Sequence, residues 1–311
     1  MNPSIARCCR TLTTACLTLL SFAASGQAPS AAAAAETKPA IRTQALRPGL
    51  HVLASAGGNV AVWTGSDGTV VVDDSLAPLA PQLLEAIARI EPGPVRFVVN
   101  THWHPDHTGG NETLGRSGSV VVAHDNTRAR MSEPQVVQEY DLKVPAAPKA
   151  ALPVVTFADS VVLHLNGDNL QLAHVDAAHT DGDLVAWWEL ANVVHVGDLY
   201  YNGSYPFIDL DSGGSLAGVV AAIELVLDRA DARTVVIPGH GPVSNRSDLS
   251  AYRDMLVAVG RRVREGIEAG RSEEEIVASR PTADYDERFG KGGMTADRFV
   301  RNVYADLTAG R

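Results

Sequence analysis

Apolar residues along this chain come in short runs that turn residues interrupt, and that spacing lays out its elements. Residues 51–53, 59–63 and 69–72 are runs too short for helices. Gly57-Gly58 and Ser66-Asp67-Gly68 separate them, so they read as three strands joined by tight turns. Residues 81–90 carry Leu83, Leu84, Ile87 and Ile90 at helical spacing. A buried strand at 95–99 follows and runs into His102, and another lies at 120–123. Residues 126–139 are polar with scattered apolar positions and predict a surface helix; 146–153 is a Pro/Ala-rich loop. Further strands are predicted at 161–165, 170–174, 183–188, 193–196 and 235–237, with a helix at 218–227. The last part reads as helices at 250–268, 272–280 and 295–309. Strands interleaved with covering helices predict a layered α/β protein.

The N-terminal segment follows different rules. Arg7 and Arg10 precede an apolar stretch at 11–24, and small residues run up to Ala35. Residues 1–35 therefore read as an export signal, too short in its apolar part for a transmembrane helix, which implies a periplasmic or secreted protein without stable membrane insertion. Residues 36–48 read as a spacer and 49–311 as the folded domain. Cys8, Cys9 and Cys16 all fall in the signal. The exported domain then has neither a disulfide framework nor a thiolate nucleophile, and any metal must be held by His, Asp or Glu. The formal net charge of −10 excludes nucleic acid as the expected partner, since phosphate binding needs a basic face. A small molecule is the expected substrate, and nothing in the sequence sets an oligomeric state.

The densest chemistry lies in Thr101-His102-Trp103-His104-Pro105-Asp106-His107-Thr108-Gly109-Gly110, just past a predicted buried strand. At period two, His102 and His104 point the same way and can share one metal. Asp106 and His107 follow a Pro-induced turn and can face a second one. Imidazole with carboxylate suits zinc. Three later residues stand at predicted strand ends beside glycine: His179 in Ala178-His179-Thr180-Asp181-Gly182-Asp183, Asp198 in Val196-Gly197-Asp198, and His240 in Pro238-Gly239-His240-Gly241. A flanking glycine lets the backbone approach a crowded site closely.

This pattern resembles the metallo-β-lactamase-fold superfamily, and specifically its exported dimetal hydrolases with a bridging aspartate. The resemblance implies an αββα four-layer sandwich with a dimetal site at one edge of two facing sheets. It implies that His102, His104 and His179 bind one zinc, that Asp106, His107 and His240 bind another, and that Asp198 bridges them. Asp73 would support ligand orientation from beneath the loop. Two zinc ions would provide hydroxide at neutral pH for attack on the carbonyl of a β-lactam, lactone or other ester or amide, with Asp106 orienting the nucleophile or taking a proton. No Gly-x-Ser-x-Gly motif offers a serine route. The best-known zinc lactamases of this layout have Cys where Asp198 stands and Lys where Tyr201 stands; that Lys pairs with the drug carboxylate. Trp103, Tyr201, Tyr205 and Phe207 are candidate pocket walls, while Trp63 reads as core. An iron-dependent member of the superfamily, or a periplasmic accessory protein that binds metal or cofactor without hydrolysis, are the alternatives.

Overall fold

Alternating side chains along single strands build the centre of the molecule. The computed structural model describes residues 41–309, so the expected export signal, with its cysteines, and residues 36–40 of the expected spacer lie outside it. The described chain opens with β1 (Arg42–Arg47), inside the expected spacer. It pairs antiparallel with β2 (Leu50–Ser55) as an edge strand whose mostly exposed, polar side chains give no apolar alternation to read. Then come β3 (Gly58–Trp63), β4 (Thr69–Val72), α1 (Ala80–Ile90) and β5 (Val95–Val99). Two short helices follow, α2 (Pro105–Thr108) and α3 (Asn111–Arg116), and then β6 (Val120–His124) and α4 (Asp125–Met131). The helix expected over 126–139 stops early because Pro134 cannot continue it. A small hairpin, β7 (Gln135–Val137) and β8 (Leu142–Val144), takes its place, and β9 (Val155–Phe157) completes the first sheet in the order β1-β2-β3-β4-β5-β6-β9.

The second sheet collects β10 (Ser160–Leu165), β11 (Asp168–His174), β12 (Leu184–Trp188), β13 (Val193–His195), β14 (Val235–Ile237) and β15 (Ser244–Asn245), in that order. Helix α5 (Leu216–Arg229) links β13 to β14. The C-terminal part is α6 (Arg246–Glu268), α7 (Glu273–Ala278), α8 (Asp286–Phe289) and α9 (Ala296–Thr308). Among the described residues no helix is long and apolar enough to cross a membrane.

Three apolar clusters define four layers. Ala61, Trp63, Val70 and Val72 from the first sheet meet Leu172, Ala186, Trp188 and Ile237 from the second. Residues of opposite parity in the same strands, Val60, Val62 and Val71, turn outward onto Leu83, Ala86 and Ile87 of α1. On the far side Trp187, Val194 and Val236 face helices α5, α6 and α9. The central strands are thus covered on both faces, which explains why they read as continuous apolar runs. The architecture is the expected αββα sandwich. Trp63 lies in the intersheet core, edge-on to Trp188 with ring centres 6.3 Å apart.

Candidate metal centre

Strand direction brings the candidate residues to one edge. β4 and β5 run parallel, so Asp73 and the 101–107 segment leave their sheet at the same end. In the other sheet β11 and β12 are antiparallel, as are β12 and β13, and β13 and β14 are parallel. The C-terminal ends of β11, β13 and β14 therefore share an edge, and His179, Asp198 and His240 follow them. The described residues contain two groups with metal-binding spacing: His102, His104, His179 and Asp198, and Asp106, His107, Asp198 and His240. Asp198 is common to both.

The hydrogen bonds made by each ring assign its tautomer and so identify the nitrogen left with a lone pair. Thr101 Oγ1 donates to Asp73 Oδ2 (2.9 Å), which leaves it to accept from His102 Nδ1 at 3.1 Å. His104 Nε2 donates to Asp209 Oδ2 at 2.9 Å, and His179 Nδ1 donates to the Phe207 carbonyl at 2.8 Å. The remaining atoms, His102 Nε2, His104 Nδ1 and His179 Nε2, converge, with His104 Nδ1 lying 3.1 Å from His102 and 2.9 Å from His179. Three buried lone pairs aimed at one point cannot satisfy each other, whereas a small cation satisfies all three. Burial pushes the His179 imidazole down to about 4 against the pull of Asp198, so the ring stays neutral, as a ligand must be.

The second group has the same logic with more negative charge. His107 Nδ1 donates to Asp73 Oδ2 at 2.8 Å, so its Nε2 faces the centre, 3.3 Å from His240 Nε2. Asp106 Oδ2 is 3.2 Å from His240 Nε2 and 3.6 Å from His107 Nε2. Asp198 Oδ1 is 3.2 Å from His107 Nε2, and its Oδ2 is 3.4 Å from His240 and 3.7 Å from His179. Asp198 Oδ1 is buried without a hydrogen-bond partner, a costly state for a carboxylate that a cation would relieve. Burial disfavours ionised Asp198, but His107 and His240 outweigh it and hold the carboxyl well below its usual range. The donor set, the converging lone pairs and the orphaned oxygen all fit a divalent cation in each group.

Supporting residues set these orientations. Asp73 adopts a left-handed backbone (φ 63°), which turns its carboxylate under the loop to take the Thr101 amide (2.7 Å), the Thr101 hydroxyl and His107. Asp106 and His107 sit on α2, a single helical turn, where a loop was expected. Asp209 and the Phe207 carbonyl, which fix His104 and His179, escaped the sequence reading. Asp209 lies in an irregular stretch after β13, and a backbone carbonyl has no side-chain signature. Asp209→Ala is expected to weaken metal binding by about 10–100-fold; competition against a chromogenic chelator would measure it, and parental affinity would remove Asp209 from this role.

Two glycines make the approach possible. A Cβ on Gly239 would lie 1.9 Å from Asp198 Oδ1 and 2.7 Å from the carbonyl carbon of Gly197. A Cβ on Gly109 would lie 2.2 Å from the Ala77 amide nitrogen. Gly239→Ala is therefore expected to displace Asp198, lowering stability by about 2 kcal/mol and releasing metal at chelator concentrations the parent withstands. A thermal melt and a chelator titration together would test this; parental behaviour in both would show that the site tolerates the added methyl.

A cavity of about 530 Å³ opens over the centre, lined by Asp106, Asp198 and His240 among others. Tyr201, Tyr205 and Phe207 are among its lining residues. Tyr201 stacks on His240 (ring centres 5.2 Å apart, planes 9°) and donates to Asp198 Oδ2 at 2.5 Å. Trp103 does not line it. Sitting between two inward-facing histidines, it turns the other way, into the core, where its indole nitrogen donates to Ser212 Oγ at 3.1 Å.

The sequence model of the metallo-beta-lactamase superfamily matches residues 56–256. The metallo-beta-lactamase type 2 of Bacillus cereus is 26% identical over 200 residues, covering 64% of this chain and 72% of that protein. Among solved structures, a metallo-beta-lactamase from Pontibacter korlensis superposes with a TM-score of 0.57 at 22% identity, over 70% of this chain and 99% of that one. A stereoselective inverting sec-alkylsulfatase from Pseudomonas sp. gives 0.67 at 18% identity over 87% of this chain, which spans about half (51%) of that longer protein. With its family model matching well over half of its length, the chain belongs to the metallo-β-lactamase superfamily of metal-dependent hydrolases.

Proposed function

We propose that this protein is a dinuclear zinc hydrolase of neutral carbonyl compounds, with lactones and carboxylic esters as the favoured class. The observation that carries the dinuclear reading is Asp198, common to both donor groups and holding one oxygen without a protein partner. In this reading His102, His104 and His179 would hold one ion, Asp106, His107 and His240 would hold the other, and Asp198 would serve both. Ions bound there would supply Lewis acidity toward a carbonyl and would acidify a coordinated water.

The chain's own groups then have distinct tasks. Burial disfavours ionised Asp106, but His107 and His240 hold its carboxyl well below the usual range, and its side chain keeps 32% exposure toward the cavity. It is thus an ionised acceptor able to orient a nucleophile by taking a hydrogen bond from it. Tyr201 also lines the cavity, with its one hydroxyl proton donated to Asp198 Oδ2, which fixes the orientation of that carboxylate. Buried Asp73 and Asp209 keep His107 and His104 in their ligand tautomers.

Neutral substrates are favoured by the charge of the walls. No Lys or Arg is among the residues that line the cavity, so a substrate carboxylate or sulfate away from the metal centre would find no Lys or Arg partner in its walls. A second reading, β-lactam hydrolysis, is favoured by the name of the Bacillus cereus relative. Zinc-loaded protein assayed on a γ-lactone, a nitrophenyl ester and a chromogenic cephalosporin separates the two. Turnover of the neutral probes, abolished by chelator, with at least a hundredfold lower kcat/KM for the cephalosporin, is the expected result. The reverse order would move the protein to the β-lactam reading, and metal-independent turnover would sink both. We also place the reaction outside the cytoplasm, on the basic, apolar and small-residue order of residues 1–35.

A further inference from the structure

One wall of the cavity comes from segments remote in sequence from every metal-facing residue. Val137 and Leu142, paired directly across the β7–β8 hairpin, both line it, and the turn between those strands adds Tyr140. Gly292, Gly293 and Met294 form the adjoining part. Arg298, in the first turn of α9, clasps the two. Its guanidinium donates to the Glu139 carboxylate (2.6 Å), to the Glu139 carbonyl (3.1 Å) and to the Gly293 carbonyl (3.3 Å). It also lies 5.3 Å from the centre of the Tyr140 ring, which in turn meets Phe207 edge-on at 5.3 Å. The wall is apolar yet open: Tyr140 is 51% exposed and Leu142 44%. Large apolar side chains left exposed together in the mouth of a reactive cleft mark a ligand contact.

We propose that this wall is an acyl-chain subsite, which takes a neutral, unbranched apolar chain of medium length attached to the carbonyl group that reacts at the adjoining centre. Arg298 is the positioning residue that fixes its shape. The proposal rests on the hydrolase reading for its reaction, but its binding component stands apart from it. The occupant is argued from the cavity itself: one continuous space joins Tyr140, Leu142 and Met294 to Asp106 and His240, and no Lys or Arg is among its lining residues. A terminal carboxylate on the chain is disfavoured at this wall, since no Lys or Arg lines it and Arg298 behind it is already paired with Glu139.

The test uses zinc-loaded full-length protein with p-nitrophenyl acetate, butyrate and octanoate. Full burial of a methylene is worth about fourfold, and a partly open wall about half of that on a logarithmic scale, so kcat/KM is expected to rise by about 50-fold from acetate to octanoate. Tyr140→Ala and Leu142→Ser should each cut the octanoate-to-acetate ratio at least fivefold, through KM. Arg298→Ala should lower that ratio as well, and Arg298→Lys should restore part of it, which a general loss of folding would not do. A flat chain-length profile in the parent overturns the subsite, and a profile unchanged in all the variants overturns the hairpin's part in it. Calorimetric binding of 2-decanone against 2-butanone gives a readout free of turnover. Decanone bound at least 30-fold more tightly, and weakened by Tyr140→Ala, upholds the subsite even if every ester is inert and the hydrolase reading falls. Equal binding of the two ketones overturns the subsite even if the esters are hydrolysed.

Discussion

Asp198→Ala is expected to reduce bound metal from about two ions per chain to fewer than one and to lower kcat/KM by about 10⁴-fold, a loss of roughly 5 kcal/mol in the transition state. Among the described residues Asp198 is the one side chain common to both groups, so its removal deprives each of a donor at once. It also frees the Tyr201 hydroxyl, whose acceptor is Asp198 Oδ2. His240→Ala, which touches one group alone, is expected to leave the position beside His102, His104 and His179 occupied. Elemental analysis of the two variants beside steady-state kinetics distinguishes them. An Asp198→Ala chain that keeps two ions would show that the carboxylate does not bridge.

Stripping the metal from the parent protein is expected to lower its melting temperature by about 10 °C. A ligand present at a thousand times its dissociation constant stabilises by about 4 kcal/mol, and a domain of this size shifts by roughly 2–4 °C per kcal/mol. The physical source is on the cavity floor. Asp73, Asp106 and Asp198 crowd around His107, and three buried imidazole lone pairs face one another around His104. Without a cation, protons or water must take its place at a cost. The helical and strand content should persist, because the three apolar clusters hold no metal-facing residue. Calorimetry with and without chelator, beside far-ultraviolet dichroism, measures both. A melting temperature indifferent to chelator would mean that the buried donors are satisfied without metal.

Much of this site was legible because its geometry is local. Period-two alternation placed His102 and His104 together, and the structure sets their facing nitrogens 3.1 Å apart. The same alternation turns Trp103 away from them, a consequence the pocket expectation overlooked. Glycine beside His240 marked a close approach, and the 1.9 Å gap between Asp198 and the absent Cβ of Gly239 is its physical reason. Asp209 was not legible: its bond to His104 spans 105 residues, and no strand end or motif flags it. The β7–β8 hairpin was hidden for another reason. Its strands are three residues each, with Val137 buried and Val136 and Leu142 exposed, too short for a period to stand out from the polar background. Edge strand β1 was lost among spacer-like residues because its pairing uses the backbone while its side chains stay exposed.

Native mass spectrometry of the protein purified from its expressing cells, without added metal, tests the dinuclear zinc reading most directly. A mass matching the protein chain plus two zinc ions, lost together in Asp198→Ala, is the expected result. A chain that carries iron, or one that stays metal-free at micromolar free zinc, would contradict it.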